Sequence, residues 1–140
     1  PTILDAASAK PMSGIHGQSI QPLVSTTPPA WRTEWLYHYN YEKQFPYTPN
    51  VRAVRGDRFK YIRYPHGDGT ADRHMAELYD IQADPAESSN LIADPALAAT
   101  VAEMQARLER AMQAVGIDPD ADAMPLDEGI GTELPDEAIR

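Results

Sequence analysis

The sequence predicts an α+β fold: a small antiparallel sheet of about four strands packed against one long C-terminal amphipathic helix. Three observations predict it. Every aromatic residue (Trp 2, Tyr 7, Phe 2) lies between Trp31 and Tyr79. Within that stretch residues 33–41 alternate, the two-residue period of a strand. Beyond it, apolar residues recur every three or four positions, the period of a helix face. Aromatic and β-branched residues suit a pleated surface, so the sheet falls mid-chain and the helix follows it.

The elements come in this order. Residues 1–30 read as a helix end followed by a loop, with Gln18 to Val24 able to form a short helical turn and Ser25-Thr26-Thr27-Pro28-Pro29 breaking it. Over 33–41, Trp35, Tyr37, Tyr39 and Tyr41 share one face of a strand, and that row is expected to be the buried face on which the helix docks. Pro46 and Pro49 force a loop, because proline cannot donate to a ladder. Two strands follow, near 51–55 and 58–64, joined by Gly56-Asp57 as a two-residue turn with the glycine free to take positive φ. Glu77-Leu78-Tyr79-Asp80-Ile81 makes a fourth strand. Asp84-Pro85-Ala86-Glu87 reads as a capping box that opens one turn at most. Asp94-Pro95 caps the long helix, whose face is Leu97, Val101, Met104, Leu108, Met112 and Val115. Glu103 and Arg107 form an i,i+4 pair, Gly116 sits at the C′ position and Pro119 stops continuation. The domain organisation is therefore 1–30 as a junction segment, 31–116 as the sheet-plus-helix unit, and 117–140 as an acidic tail rich in proline and glycine.

Composition narrows the function. The chain has 140 residues, one domain's worth, and carries a formal charge of −9. A field of that sign repels phosphate backbones, which argues against a nucleic-acid partner. There is no cysteine, hence no disulfide, thiolate metal site or Cys nucleophile. No apolar run is long enough to span a bilayer, which argues against a membrane partner. The opening Pro1-Thr2-Ile3-Leu4, apolar from the start, reads as a trimmed or cleaved piece of something larger.

Several constellations could carry chemistry, and each has a plain structural reading. Arg55-Gly56-Asp57 spells an adhesive tripeptide, but a tight turn needs such residues for backbone reasons alone. Arg52, Arg55, Arg58, Lys60 and Arg63 form a basic stripe among Phe59, Tyr61 and Tyr64. On an acidic chain this is better read as stems covering aromatics and heads pairing with carboxylates. His66, Asp68, Asp72 and His74 have the composition of a metal site in a glycine-rich, floppy loop. Asp118, Asp120 and Asp122 match the start of a calcium loop, but Ala123 and Gly129 stand where glycine and glutamate are required, so the match fails. No nucleophile elbow or phosphate loop is present. His38, Asn40 and Glu42, on one strand face before a proline-rich loop, are the best candidates for a polar site.

Four motifs in order resemble the C-terminal portion of the type I sulfatases. Leu78-Tyr79-Asp80-Ile81 running into Asp84-Pro85-x-Glu87-x-x-Asn90-Leu91 is similar to that family's "LYDL" strand and "DPxExxNL" turn. Val51 to Ile62 resembles its "RAVRTDRYKYI" hairpin, Pro1 to Asp5 its "PTILDLAG" helix end, and Gly17 to Leu23 its "GxSLxPLL". The resemblance implies a sulfuric ester hydrolase that acts on a sulfated carbohydrate or aryl sulfate, with a formylglycine made in a C/S-x-P-x-R motif. It also implies a calcium ion held in a large N-terminal domain. Neither motif nor calcium ligands are present here, so the resemblance implies a chain without catalytic residues, metal or cofactor of its own, inactive alone. Its partner would be the missing N-terminal domain. Baring the docking surface for that domain would favour a homo-oligomer. The family also implies that the segment from the first strand to the hairpin reaches the active-site mouth. His38, Tyr41, Glu42, Lys43, Tyr47 and Arg52 would then contact substrate. An exported or periplasmic location is implied on the same ground. The alternative is a free-standing carbohydrate-binding module using the aromatic row as a platform.

Overall fold

The computed structural model describes residues 1–40, 50–64 and 76–118. The chain divides into two compact units, Pro1–Arg32 and the remainder from Thr33. No described residue lies in a helix long and apolar enough to cross a membrane.

The first unit contains α1 (Thr2–Ala6) and a single 3-10 turn (Gln21–Val24). Polar contacts hold the two together: Ser19 Oγ donates to Asp5 Oδ2 at 2.5 Å and the Ile20 amide donates to Thr2 Oγ1 at 3.2 Å. No residue of this unit is buried. Ile3 is 83 % exposed and Val24 87 %.

The second unit is the α+β body. Four strands, β1 (Trp35–Tyr39), β2 (Val51–Arg55), β3 (Phe59–Arg63) and β4 (Glu77–Asp80), pair antiparallel in sequence order. The register aligns Leu36, Val54, Tyr61 and Leu78 in one row across all four strands. Side chains alternate across a strand, so this row defines a single face. Helix α2 (Ala98–Ala114) lies on that face and buries Met104, Leu108 and Met112 against it. Asp94 caps the 3-10 turn Pro95–Leu97 that leads into α2, accepting from the Ala96 amide at 2.9 Å.

The end of α2 follows from Gly116. Its φ of +81° admits glycine readily, and the amides of Gly116 and Ile117 donate back to the carbonyls of Gln113 and Met112. These two bonds are a Schellman motif, which folds Ile117 onto the core. Val115, expected to complete the apolar face, is left at the surface instead.

Three further expectations are corrected. The aromatic row of β1 is not the helix-docking face: Trp35 is 49 % exposed and Tyr37 53 %. Leu36 pairs with Val54 and faces the helix, so its neighbours Trp35 and Tyr37 point away. The hairpin turn is centred on Asp57-Arg58, because the Gly56 amide already donates to the Phe59 carbonyl at 2.9 Å. Gly56 has no positive φ; it is buried, and a Cβ there would lie 3.4 Å from Arg107 Nη1. The capping-box reading of Asp84 and Glu87 is replaced by a different device. Asp84 Oδ2 accepts from the amides of Ser88 and Ser89, while Glu87, at φ +54°, directs its carboxylate to Lys60.

That turn delivers Asn90 to the edge of β4. Asn90 Oδ1 accepts from the Leu78 amide at 3.0 Å, and its Nδ2 donates to the Ala76 carbonyl at 3.2 Å. The Leu91 amide donates to the Leu78 carbonyl at 2.8 Å. A bare strand edge invites pairing with another chain; here one amide side chain and one backbone amide occupy it.

Candidate functional site

The polar end of the sheet is where β1 leaves toward residue 41 and β2 returns from residue 49. His38 and Arg52 are cross-strand partners there, and Arg52 in turn is opposite Arg63 on β3. Three basic side chains thus form a row on the helix-facing side of the sheet, at the end away from the hairpin tip. Two arginines directly opposite repel unless acceptors surround them. Arg52 is fully buried, and its Nη1 donates to the carbonyls of Tyr39 at 2.8 Å and Val51 at 3.0 Å. Its guanidinium therefore ties the end of β1 to the start of β2. Asn50, beside it, is also fully buried. His38 is exposed. Of the six residues expected to contact substrate, His38 and Arg52 are thus brought together, while Tyr41, Glu42, Lys43 and Tyr47 lie outside the described residues. Arg63 was missed as a member of the row. Counting outward from a hairpin centred on Asp57-Arg58 pairs it with Arg52, but a turn placed one residue earlier does not.

The rest of the basic stripe has structural partners. Arg58 Nε and Nη2 donate to Asp80 Oδ2 at 2.9 and 2.8 Å, and Asp80 Oδ1 accepts from the amides of Gln82 and Ala83. The Arg58 hydrogen bond holds the Asp80 carboxyl below the usual carboxylate range. Lys60 pairs with Glu87 and lies over the Tyr79 ring, and Arg55 lies 4.9 Å over the Trp35 ring. The His66–His74 segment and the acidic stretch after Asp118 lie outside the described residues. Among the described residues, no three His, Asp or Glu side chains converge as a metal site would require.

A second polar group sits on β4. Glu77 accepts from two tyrosines, Tyr64 at Oε1 (2.6 Å) and Tyr79 at Oε2 (2.7 Å). Burial, then the Glu77 hydrogen bond, pushes the Tyr79 hydroxyl up to about 12. The same causes raise Tyr64. The fold therefore favours protonated tyrosines. Above the ordinary tyrosine value of about 10 the unfolded chain loses protons that the folded chain keeps, so stability falls as pH rises toward the folded values. Urea midpoints measured between pH 9 and pH 12 should decline, and Tyr79→Phe should flatten that decline. Equal slopes for the two proteins would contradict it.

With this geometry in place, comparison with known proteins identifies the family. Residues 1–114 match the family described as N-sulphoglucosamine sulphohydrolase, C-terminal. The chain belongs to that family. It is a C-terminal sulfatase domain by sequence and by structure. It is 34 % identical over 114 residues to a Δ4,5-hexuronate-2-O-sulfatase of Bacteroides thetaiotaomicron, covering 78 % of this chain and 21 % of that protein. An N-acetylglucosamine-6-O-sulfatase from the same organism is 33 % identical over 112 residues, covering 78 % of this chain and 19 % of its own. The chain thus spans about a fifth of the curated relatives it matches. Among solved structures, a 2-O glycosaminoglycan sulfatase superimposes with a TM-score of 0.71 at 26 % identity, over 90 % of this chain and 26 % of that one. A protein solved in complex with its substrate, D-glucosamine-2-N,6-O-disulfate, gives 0.67 at 30 % identity, over 91 % of this chain and 24 % of that one.

Proposed function

We propose that this sulfatase domain forms part of the substrate-binding rim of a sulfuric ester hydrolase acting on a sulfated carbohydrate, and that it is inactive alone. The observation that carries the reading is the cross-strand row His38–Arg52–Arg63, set where the sheet opens toward residues 41–49. Cationic side chains and aromatic faces are the groups that recognise sulfated sugars, by charge-assisted hydrogen bonds and by stacking. In this reading His38 meets a sulfate or hydroxyl directly, with Tyr41, Glu42, Lys43 and Tyr47 supplying further contacts. Arg52 acts as a positioning residue, fixing the Tyr39 carbonyl from which the segment departs. The nucleophile and any calcium belong to the N-terminal portion, and no described residue of this chain is assigned a step in the chemistry. The substrates of the relatives support hexosamine or hexuronate sulfates as the first compounds to test.

The test compares the full-length sulfatase with this chain alone. The chain alone should show no turnover of an aryl sulfate, with or without added calcium. In the full-length protein, His38→Ala should lower kcat/KM on a sulfated disaccharide about tenfold or more, the loss expected for one charged hydrogen bond, while its thermal midpoint is unchanged. Turnover by the chain alone, or an unchanged kcat/KM, would overturn the reading.

A further inference from the structure

We infer that the cavity between the β2–β3 hairpin tip and α2 binds one uncharged sugar ring, an inference independent of the rim reading above. The cavity has a volume of about 350 Å³, within the roughly 300–1,000 Å³ of small-molecule sites. Gly56 forms part of its wall and is buried. Gly56 lies four residues along β2 from Arg52, about 13 Å at strand rise, so the cavity and the His38–Arg52–Arg63 row occupy opposite ends of the sheet. The glycine takes no positive φ, so the turn itself does not demand it. What it supplies is room: a Cβ there would lie 3.4 Å from Arg107 Nη1.

The polar lining selects the ligand. Arg58 and Arg107 line the cavity together with Asp57 and Glu103, so the formal charges cancel. Both arginines are already engaged. Arg58 donates twice to Asp80 Oδ2, while Arg107 donates twice to Glu103 Oε1 and lies 3.6 Å from Glu34. An incoming anion would compete with those carboxylates, and an incoming cation would meet the guanidiniums. A purely apolar ligand would strip water from the charged groups without replacing its hydrogen bonds. A ring bearing several hydroxyls meets none of these penalties, because each hydroxyl both donates and accepts. Arg107 spends Nε and Nη2 on Oε1, which leaves Glu103 Oε2 as an acceptor and Arg107 Nη1, at the Gly56 wall, as a donor. Thr33 and Thr100 add one hydroxyl each, and the partly exposed Phe59 offers an apolar surface to the C–H side of a sugar.

The experiment uses the full-length sulfatase and saturation-transfer NMR with N-acetylglucosamine as the probe. Gly56→Val puts a branched side chain into the cavity, and Thr100→Val removes one hydroxyl with little change of shape. Gly56→Val should remove the part of the signal that arises here. Thr100→Val should weaken the affinity of that part by about two- to tenfold, the range for one neutral hydrogen bond. Both should leave kcat/KM on a sulfated disaccharide unchanged. Thermal midpoints are read alongside, and if Gly56→Val does not fold, Thr100→Val carries the test. An unchanged signal in either folded variant overturns the inference. So does a matching fall in kcat/KM, which would place the sugar in the active site instead. Displacement of the Gly56-dependent signal by sodium sulfate would make the cavity an anion site and also overturn it; survival of the signal supports an uncharged ligand. Chitotriose in place of the monosaccharide separates the sources: stronger binding assigns an unsulfated stretch of polysaccharide, weaker binding a free sugar, and both support the site.

Discussion

Leu108→Ala is expected to lower the unfolding free energy of the sheet–helix unit by about 3–5 kcal/mol, the range for truncating a leucine in a packed core. Leu108 is 2 % exposed and sits one helical turn from both Met104 and Met112. All three face Val54, Tyr61 and Leu78. This is the single layer between α2 and the sheet, so no second core can take over the lost contact. A domain of this size has about 5–15 kcal/mol in total, and about a fifth or more of it would disappear. Chemical unfolding followed by circular dichroism measures the loss. Gln113→Ala, on the exposed side of the same helix, should stay within about 0.5 kcal/mol. A Leu108→Ala change no larger than the Gln113→Ala change would mean that α2 does not hold the sheet.

The parts of this fold that were legible in the sequence are those set by local chemistry. Asp94, the three- and four-residue spacing and Gly116 specify α2 because capping, periodicity and a left-handed C′ residue act within a few residues of one another. The first strand was legible by alternation, and the next two by the turn signal between them. Which face of β1 meets the helix was not, because a two-residue period gives two faces and does not say which is inside. Trp35 and Tyr37 are the stronger hydrophobic signal, yet Leu36 has the partner, since Val54 is its register neighbour. The edge cap was hidden for a similar reason. Asn90 reads as a turn residue until the chain path from Asp84 brings it alongside Leu78. At the candidate site, His38 reads from the sequence as a polar residue before a proline-rich connection, and Arg52 as the end of the segment that the family resemblance marks. Their alignment with Arg63 depended on the hairpin centre, and the expected Gly56-Asp57 turn was off by one residue.

Arg52→Ala is expected to cost about 2–3 kcal/mol, the scale of a buried hydrogen bond from a charged donor. The argument starts from burial: a guanidinium with no exposed surface would be strongly unfavourable unless acceptors surrounded it. The Tyr39 and Val51 carbonyls are two of them. Truncation leaves those oxygens without their donor and opens a void at the end of the sheet. Arg52→Lys keeps the charge but replaces a planar fork by a single ammonium on a shorter reach, so it should recover less than half of the stability. The two variants also separate positioning from direct contact. If Arg52 works by holding the Tyr39 carbonyl, both variants should lower kcat/KM of the full-length sulfatase roughly in step with their loss of stability. If its charge meets the substrate, Arg52→Lys should retain catalysis while remaining destabilised. Unchanged urea midpoints for Arg52→Ala would show that neither carbonyl contact matters, and the basic row would then have no structural anchor at its centre.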